Sequence, residues 1–266
     1  MNNLRSIENA KRIVIKIGTS TLAYETGLVN IRRIEALVKI IADLKNSGKE
    51  IILVSSGAIG VGMGKLKMKN RPSDTPTKQA LAAIGQCELM YIYDKLFSSY
   101  NHTVAQVLMT KDVVSMKERG INVTNTFLKL LENGAIPIVN ENDAVATEEI
   151  EFGDNDTLSA IVSVLVDADA LVILTDIDGL YTSNPKLDKN ARLVSYVDTI
   201  TKEIESSASG TKGLGTGGMT TKIEAAKIAT RNGIDMAIIN SHTPENLYRL
   251  LEGEDVGTYF KASKKA

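Results

Sequence analysis

The sequence is poor in the residues that most often carry redox, metal or acid–base chemistry. Its 266 residues include one cysteine, Cys87, and two histidines, His102 and His242. A single cysteine excludes any disulfide within the chain and leaves no basis for a cysteine-built zinc site. In AAIGQCELM, Cys87 reads as a small buried apolar residue on a helix rather than a nucleophile. The histidines lie far apart, with no acidic partner beside either, so neither is a candidate base. Long apolar runs are also missing. Nothing approaches the roughly 18 apolar residues of a membrane span, and the start, MNNLRSIENAKR, lacks the apolar stretch of a secretory signal. A cytoplasmic protein without a membrane segment is expected. Nor is there an excess of one charge: 31 Lys and Arg face 32 Asp and Glu, a net charge of -1. This gives no basic field of the kind nucleic acid requires, and the short tail KASKKA does not alter that.

What remains is an ordinary globule, 43% hydrophobic and 24% charged, long enough to bury a large core. Short β-branched apolar runs recur: RIVIKIG (12–18), EIILVSS (50–56), TVAQVLM (103–109), AIPIVNEN (135–142), ALVILTD (170–176) and DMAIIN (235–240). They are near-continuously apolar rather than alternating, as strands covered on both faces are. Between them lie helical patterns. In NIRRIEALVKIIADLKNSG, Ile31, Ile34, Leu37, Val38, Ile41 and Leu44 recur at helical spacing and Gly48 supplies the stop. DNDTLSAIVSVLVDAD and TTKIEAAKIATRNG read the same way, the second ending at Gly233. Strands alternating with helices predict an α/β fold, a three-layer α/β/α sandwich on a mostly parallel sheet. The stretch 63–78, MGKLKMKNRPSDTPTK, is polar and basic with two prolines and reads as a mobile loop or hairpin.

In such sheets ligands gather beyond the carboxyl ends of the strands, and the residues there are suggestive. Lys16 in VIKIGTS sits inside an apolar strand. It either points to solvent from an edge strand or pairs with an anion, since a bare buried ammonium is costly; Gly18 beside it admits backbone N–H groups to a ligand. VSSGAIG (54–60) makes an anion-receptive turn into a helix, or simply a tight turn. PIVNENDAVA (137–146) follows a strand with polar groups suited to an ammonium or a sugar, or to solvent. In FGDNDTLSA, Asp154, Asn155 and Asp156 precede an apolar helix; one can be its N-cap, but capping does not require all three. The closing Glu of an EF-hand is absent. LTDIDGLYTSNP (174–185) offers Asp176, Asp178 and Gly179 in a turn where a base and ribose could lie. GLGTGGMTTK (213–222) matches G-x-G-x-x-G, but the polar EIESSASGTK before it is no strand, so the dinucleotide reading fails, and no P-loop pattern occurs anywhere.

Taken in order, KIGTS, SSGAIG, NENDAVA, GDND, LTDIDGLYTSNP and GTGGMTTK resemble the amino acid kinase family over residues 11 to about 260. The resemblance implies one kinase domain over residues 1–266, its N-terminal part mainly binding the acceptor and its part from about residue 170 mainly binding ATP. It implies transfer of the γ-phosphate of ATP, with Mg²⁺, to the side-chain carboxylate of L-glutamate at the start of proline biosynthesis. By resemblance Lys16, Lys222 and Asp156 are catalytic, with Lys16 also on the ATP phosphates and Asp156 orienting the two lysines. Ser56, Asp143 and Asn155 match glutamate-binding positions. Thr175 and Asp176 match a nucleotide-binding pair, and the segment Thr216, Gly217, Gly218, Met219, Thr220, Thr221 and Lys222 a nucleotide loop. Gly18, Gly57, Gly217 and Gly218 would let backbone amides approach. Proline as feedback inhibitor and a homo-oligomer, dimer or tetramer, are also implied. Many such proteins carry a C-terminal PUA domain, which is not expected in a chain ending at Ala266. The rivals are kinases of the same fold acting on N-acetylglutamate, aspartate or UMP, and a catalytically silent sensor, against which both lysines and the full GDND speak.

Overall fold

The computed structural model describes residues 6–24, 26–110, 113, 116–145, 155–185, 187–209 and 218–263. Six strands fall where the apolar runs place them: β1 (Arg12–Ile17), β2 (Glu50–Ser55), β3 (Val104–Met109), β4 (Ile136–Glu141), β5 (Ala170–Thr175) and β7 (Asp235–Asn240). Two short strands, β6 (Tyr196–Val197) and β8 (Thr258–Phe260), complete an eight-stranded sheet in the order β3-β4-β2-β1-β5-β7-β8-β6. Every pairing is parallel except β7 with β8. The helices are α1 (Thr19–Leu22), α2 (Ile31–Asn46), α3 (Ala58–Lys65), α4 (Thr75–Ser98), α5 (Lys117–Glu132), α6 (Asp156–Leu165), α7 (Lys202–Ser209), α8 (Met219–Arg231) and α9 (Asn246–Leu251).

Strand alternation sorts the core into two layers. On one face Ile13, Ile15 and Ile17 of β1 join Leu53, Ile138 and Val172 under α2, α4 and α9, through Leu37, Ile41, Tyr93, Phe97 and Leu250. On the other, Val14, Val54, Val139, Ile173 and Ile238 pack under α5, α6 and α8, through Phe127, Leu158, Val162, Ile223 and Ala226. Lys16 is two residues from Val14, so it faces the α6 and α8 layer. β1 lies between β2 and β5, which removes the edge-strand reading of this lysine.

Helix boundaries follow local chemistry. Asn30 caps α2, its Oδ1 accepting from Arg33 N at 3.2 Å, and Gly48 follows the helix at φ +92°. The 63–78 stretch is no hairpin: it holds the end of α3, a connection, and the start of α4. Asp74 caps α4 by accepting from Thr77 N at 2.9 Å, and Pro76 sits where a missing N–H costs nothing. Cys87 is on α4 but exposed, contrary to the buried reading, because α4 turns Gly85, Gln86, Leu89 and Tyr93 inward instead.

α3 and α4 touch through their backbones. A Cβ at Gly85 would stand 1.7 Å from the Ala58 carbonyl oxygen, and one at Gly62 2.1 Å from that of Leu81. No rotamer change relieves contact with backbone. Gly85→Ala should therefore destabilise the protein by about 1–3 kcal/mol or more, read as a lower urea midpoint at unchanged slope.

Candidate active site

The carboxyl ends of β1, β2, β4 and β5 open onto a cleft of about 1170 Å³, whose lining includes Thr19, Gly57, Gly60, Asn140, Asp143 and Asp176. Helix starts gather there too. Gly18 precedes α1, Gly57 precedes α3 at φ +95°, and Gly218 precedes α8. The free N–H groups of such a turn, together with the dipole of a long helix like α8, favour negative charge.

The core of the site is a buried triad. Lys16 Nζ lies 2.7 Å from Asp156 Oδ1 and Lys222 Nζ 3.0 Å from Asp156 Oδ2. The Thr221 hydroxyl is within hydrogen-bonding reach of Asp156 Oδ2, at 3.0 Å, and of Gly218 O, at 2.8 Å. Asp156 is fully buried, and Lys16 and Lys222 are 6% and 4% exposed. Burial alone would raise the Asp156 pKa. The two ammonium groups and their hydrogen bonds outweigh it and hold the carboxyl far below its usual range. Asp156 is therefore an anion that fixes two cations. Proximity follows from topology: Lys16 is on the sheet face that α6 and α8 cover, and these helices begin at Asp156 and Met219.

A second buried network adjoins it. Asn155 occupies the N-cap position of α6, yet its side chain does not cap the helix. Its Nδ2 instead faces Ser55 O at 3.0 Å, Ser56 Oγ at 3.2 Å and Asn140 Oδ1 at 2.8 Å. Asn155 Oδ1 and Asp143 Oδ1 are both buried with no hydrogen-bond partner among the described residues. Such acceptors are costly to leave unmet and point to a donor brought by a ligand. Burial raises the Asp143 pKa to about 6.

The structure thus brings Lys16, Lys222 and Asp156 together and joins Asn155, next to Asp156 in the chain, to Ser56, while Asp143 lines the cleft. Thr175, buried at the end of β5, donates to Asp176 Oδ1 at 3.2 Å, and Asp176 reaches the cleft. In the loop segment, Gly218 is the N-cap of α8, Met219 is buried, Thr220 is exposed, and Thr221 and Lys222 reach Asp156. Thr216, Gly217 and Asp154 lie outside the described residues. The sequence offered Asn140 only as one of the polar residues of PIVNENDAVA, and nothing in it singled out Gln86. His242 lines the cleft at its exposed rim and meets no acidic partner among the hydrogen bonds of the described residues.

A parallel sheet with glycine-lined turns at its carboxyl edge and two buried lysines yoked to one carboxylate is the framework of a small-molecule kinase. The chain belongs to the amino acid kinase family, whose model matches residues 11–240. Among curated relatives, a glutamate 5-kinase of Clostridium perfringens is 55% identical over 98% of both chains, and one of Clostridium acetobutylicum 54% identical over 97% of both. A glutamate 5-kinase of Carboxydothermus hydrogenoformans is 52% identical over 97% of this chain and 70% of its own length. Among solved structures, an isopentenyl phosphate kinase aligns with a TM-score of 0.65 at 18% identity, over 94% of this chain and all of its own. The UMP kinase of Bacillus anthracis aligns at 0.63 and 19%, over 95% of this chain and 96% of its own. At such identities these structures establish the fold alone.

Proposed function

We infer that the chain transfers the γ-phosphate of ATP to the side-chain carboxylate of L-glutamate, giving L-glutamyl 5-phosphate and ADP, the first step of proline biosynthesis. The relatives' shared name supports the reaction. The observation that favours an acceptor with a free α-ammonium is the two unmet buried oxygens, Asn155 Oδ1 and Asp143 Oδ1; L-aspartate would bring the same ammonium, and the relatives' name favours glutamate over it. A free α-ammonium brings three N–H donors and a positive charge to them. The amide of N-acetylglutamate brings one donor and no charge, and UMP brings no ammonium.

The chemistry needs no general base, because a carboxylate is ionised near neutral pH. One glutamate oxygen forms the new bond to the γ-phosphorus, the bond to the bridging oxygen breaks, and ADP leaves with that electron pair. The task is electrostatic, since two anions must meet in line. Lys16 and Lys222 would flank the transferring group, with backbone amides at Gly18, Gly57 and Gly218 on its oxygens. Asp156 would orient the lysines and take no proton. The described residues hold no cluster of carboxylates or histidines suited to a resident metal, and Asp156 is committed to its lysines. Mg²⁺ would therefore arrive on the ATP phosphates, as it often does in kinases. The part up to about residue 170 would bind mainly glutamate and the rest mainly ATP, with Thr175 and Asp176 beside the nucleotide. Proline, which keeps two N–H donors and the α-carboxylate, fits the same acceptors as a feedback inhibitor. A homo-oligomer in the cytoplasm completes the proposal; no helix among the described residues is long and apolar enough to cross a membrane.

The test is ADP release against a panel of L-glutamate, N-acetyl-L-glutamate, L-aspartate and UMP, each with MgATP. Turnover is expected with L-glutamate, and turnover with another acceptor instead overturns the reading. The raised pKa of Asp143 adds a pH dependence. The ionised form binds the ammonium, so kcat/KM for glutamate should fall as pH drops through about 6. Asp143→Asn should remove that inflection and raise KM for glutamate at pH 8 by roughly tenfold or more, leaving KM for ATP alone. The linkage runs in the opposite sense for folding. A carboxyl whose pKa is raised on folding disfavours the native state as it ionises, so the contribution of Asp143 to the stability of the ligand-free enzyme falls as pH rises from about 4 to about 6.

A further inference from the structure

Gln86 lies on α4, and the transfer reaction makes no direct use of it. We infer that Gln86 is a positioning residue for substrate recognition: its side-chain carbonyl orients Asn140, which holds Asn155 so that the Asn155 carbonyl oxygen is presented to the substrate ammonium. This deepens the reading of L-glutamate as acceptor and rests on it.

The polarity of the chain is fixed from both ends by backbone groups, which cannot exchange donor and acceptor roles. At one end the Glu141 N–H donates to Asn140 Oδ1 at 2.9 Å. The amino end of Asn140 must then face Gln86, whose Oε1 accepts at 2.8 Å. At the other end the Ser55 carbonyl accepts from Asn155 Nδ2 at 3.0 Å, and Asn140 Oδ1 accepts from the same nitrogen at 2.8 Å. No amide in this chain can be turned over without setting two acceptors or two donors against each other. Asn155 is thereby left with its carbonyl oxygen free, buried and without a partner among the described residues.

Asn140 is the middle link. It accepts from Glu141 and Asn155 and donates to Gln86, at 1% exposure. Without the Gln86 oxygen its amino group is buried and unpaired. It can regain a hydrogen bond only by rotating, which turns Oδ1 away from Asn155. Gln86 is itself held in place by its neighbour Gly85, whose approach to the Ala58 carbonyl sets how closely α4 lies on α3. A helix contact away from the reacting atoms is thus linked to the orientation of one substrate-binding amide.

Two substitutions separate positioning from packing. Gln86→Met keeps the side-chain length and removes the acceptor; Gln86→Glu keeps an accepting oxygen at the same place. Gln86→Met should raise KM for glutamate roughly tenfold, the worth of one buried hydrogen bond, with kcat and KM for ATP within about twofold. Gln86→Glu should bring KM for glutamate back toward the wild-type value even though burying a carboxyl lowers its melting midpoint, so recovery of KM without recovery of stability marks a positioning role. A purely structural glutamine would instead move kcat, both KM values and the melting midpoint together, and that pattern overturns the inference. So does an unchanged KM for glutamate in Gln86→Met while the wild-type enzyme is active. A wild-type protein that releases no ADP with L-glutamate is a different failure, that of the functional reading, and it removes the substrate from the relay as well.

Discussion

Lys222→Ala should lower kcat for glutamate-dependent ADP release by roughly 10²- to 10³-fold, with both KM values changed far less. Lys16→Ala should do the same. The expectation follows from what a carboxylate nucleophile demands. With no proton to move, the barrier is set by bringing two anions together and by charge gathering on the bridging oxygen, so fixed cations supply most of the acceleration. Loss of one preorganised donor of this kind typically costs about 3–4 kcal/mol in the barrier. Both ammonium groups are held on one buried carboxylate, at 2.7 and 3.0 Å, and so need little reorganisation at the moment of transfer. Arginine should not substitute. Its planar fork is longer and spreads the charge away from the position Nζ occupies, so Lys222→Arg should stay at least about tenfold below wild type. A Lys222→Ala enzyme with normal turnover would remove the lysine from the mechanism, and a rise in both KM values at unchanged kcat would place it in ground-state binding.

The main architecture was legible because it rests on the strongest signal a sequence carries. The continuous apolar runs of β1, β2, β4 and β5 follow from burial on both faces of the sheet, and each lies within a residue or two of its expected bounds. The missed elements carried no such signal. β6 and β8 are two and three residues long and gain their place by pairing with each other and with β7. α4 was expected only as the helix that carries Cys87, without bounds: it packs on both α2 and α3, so its apolar stripe is broken by Gly85 and Gln86 on the inner side and by exposed Tyr91 and Cys87 on the outer.

The site was legible in its parts but not in its assembly. Lys16 stood out as a charge within an apolar strand, and Asp156 as an excess acid at a helix start. Nothing in their spacing joins them to each other or to Lys222. The union comes from strand order, with β1 beside β5, and from right-handed crossovers that lay α6 and α8 on one face. Only the family resemblance paired them in advance. Asn155 is the converse case. Its type and position suit an N-cap, and the local rule would have closed the question there. The tertiary acceptors Ser55, Ser56 and Asn140 claim its side chain instead, and α6 starts without a side-chain cap. Where a local preference is overridden in this way, the residue is a good place to look for a ligand.

Asp156→Asn should be the most damaging single change, because it acts on stability and catalysis at once. Two buried ammonium groups would lose the carboxylate that bridges them. Removing one partner from a buried ion pair costs about 3–5 kcal/mol, which in a domain of this size lowers the melting midpoint by on the order of 10 °C. The sign of the pH dependence is fixed by the same interaction. Since folding depresses the Asp156 pKa, its contribution is fully present above the ordinary aspartate range and is lost only as pH falls through the depressed value in strong acid. Turnover should fall with stability, since neither lysine is then held. The two effects separate in a double substitution. In Asp156→Asn with Lys222→Met, one of the stranded charges is gone, so much of the melting midpoint should return while turnover stays lost. If stability and turnover recovered together, Asp156 would be a structural counter-ion only. If stability did not recover, the cost of the single change would lie in packing rather than in the loss of the carboxylate between two cations. Recovery of stability alone is the outcome that an organiser of two catalytic lysines requires.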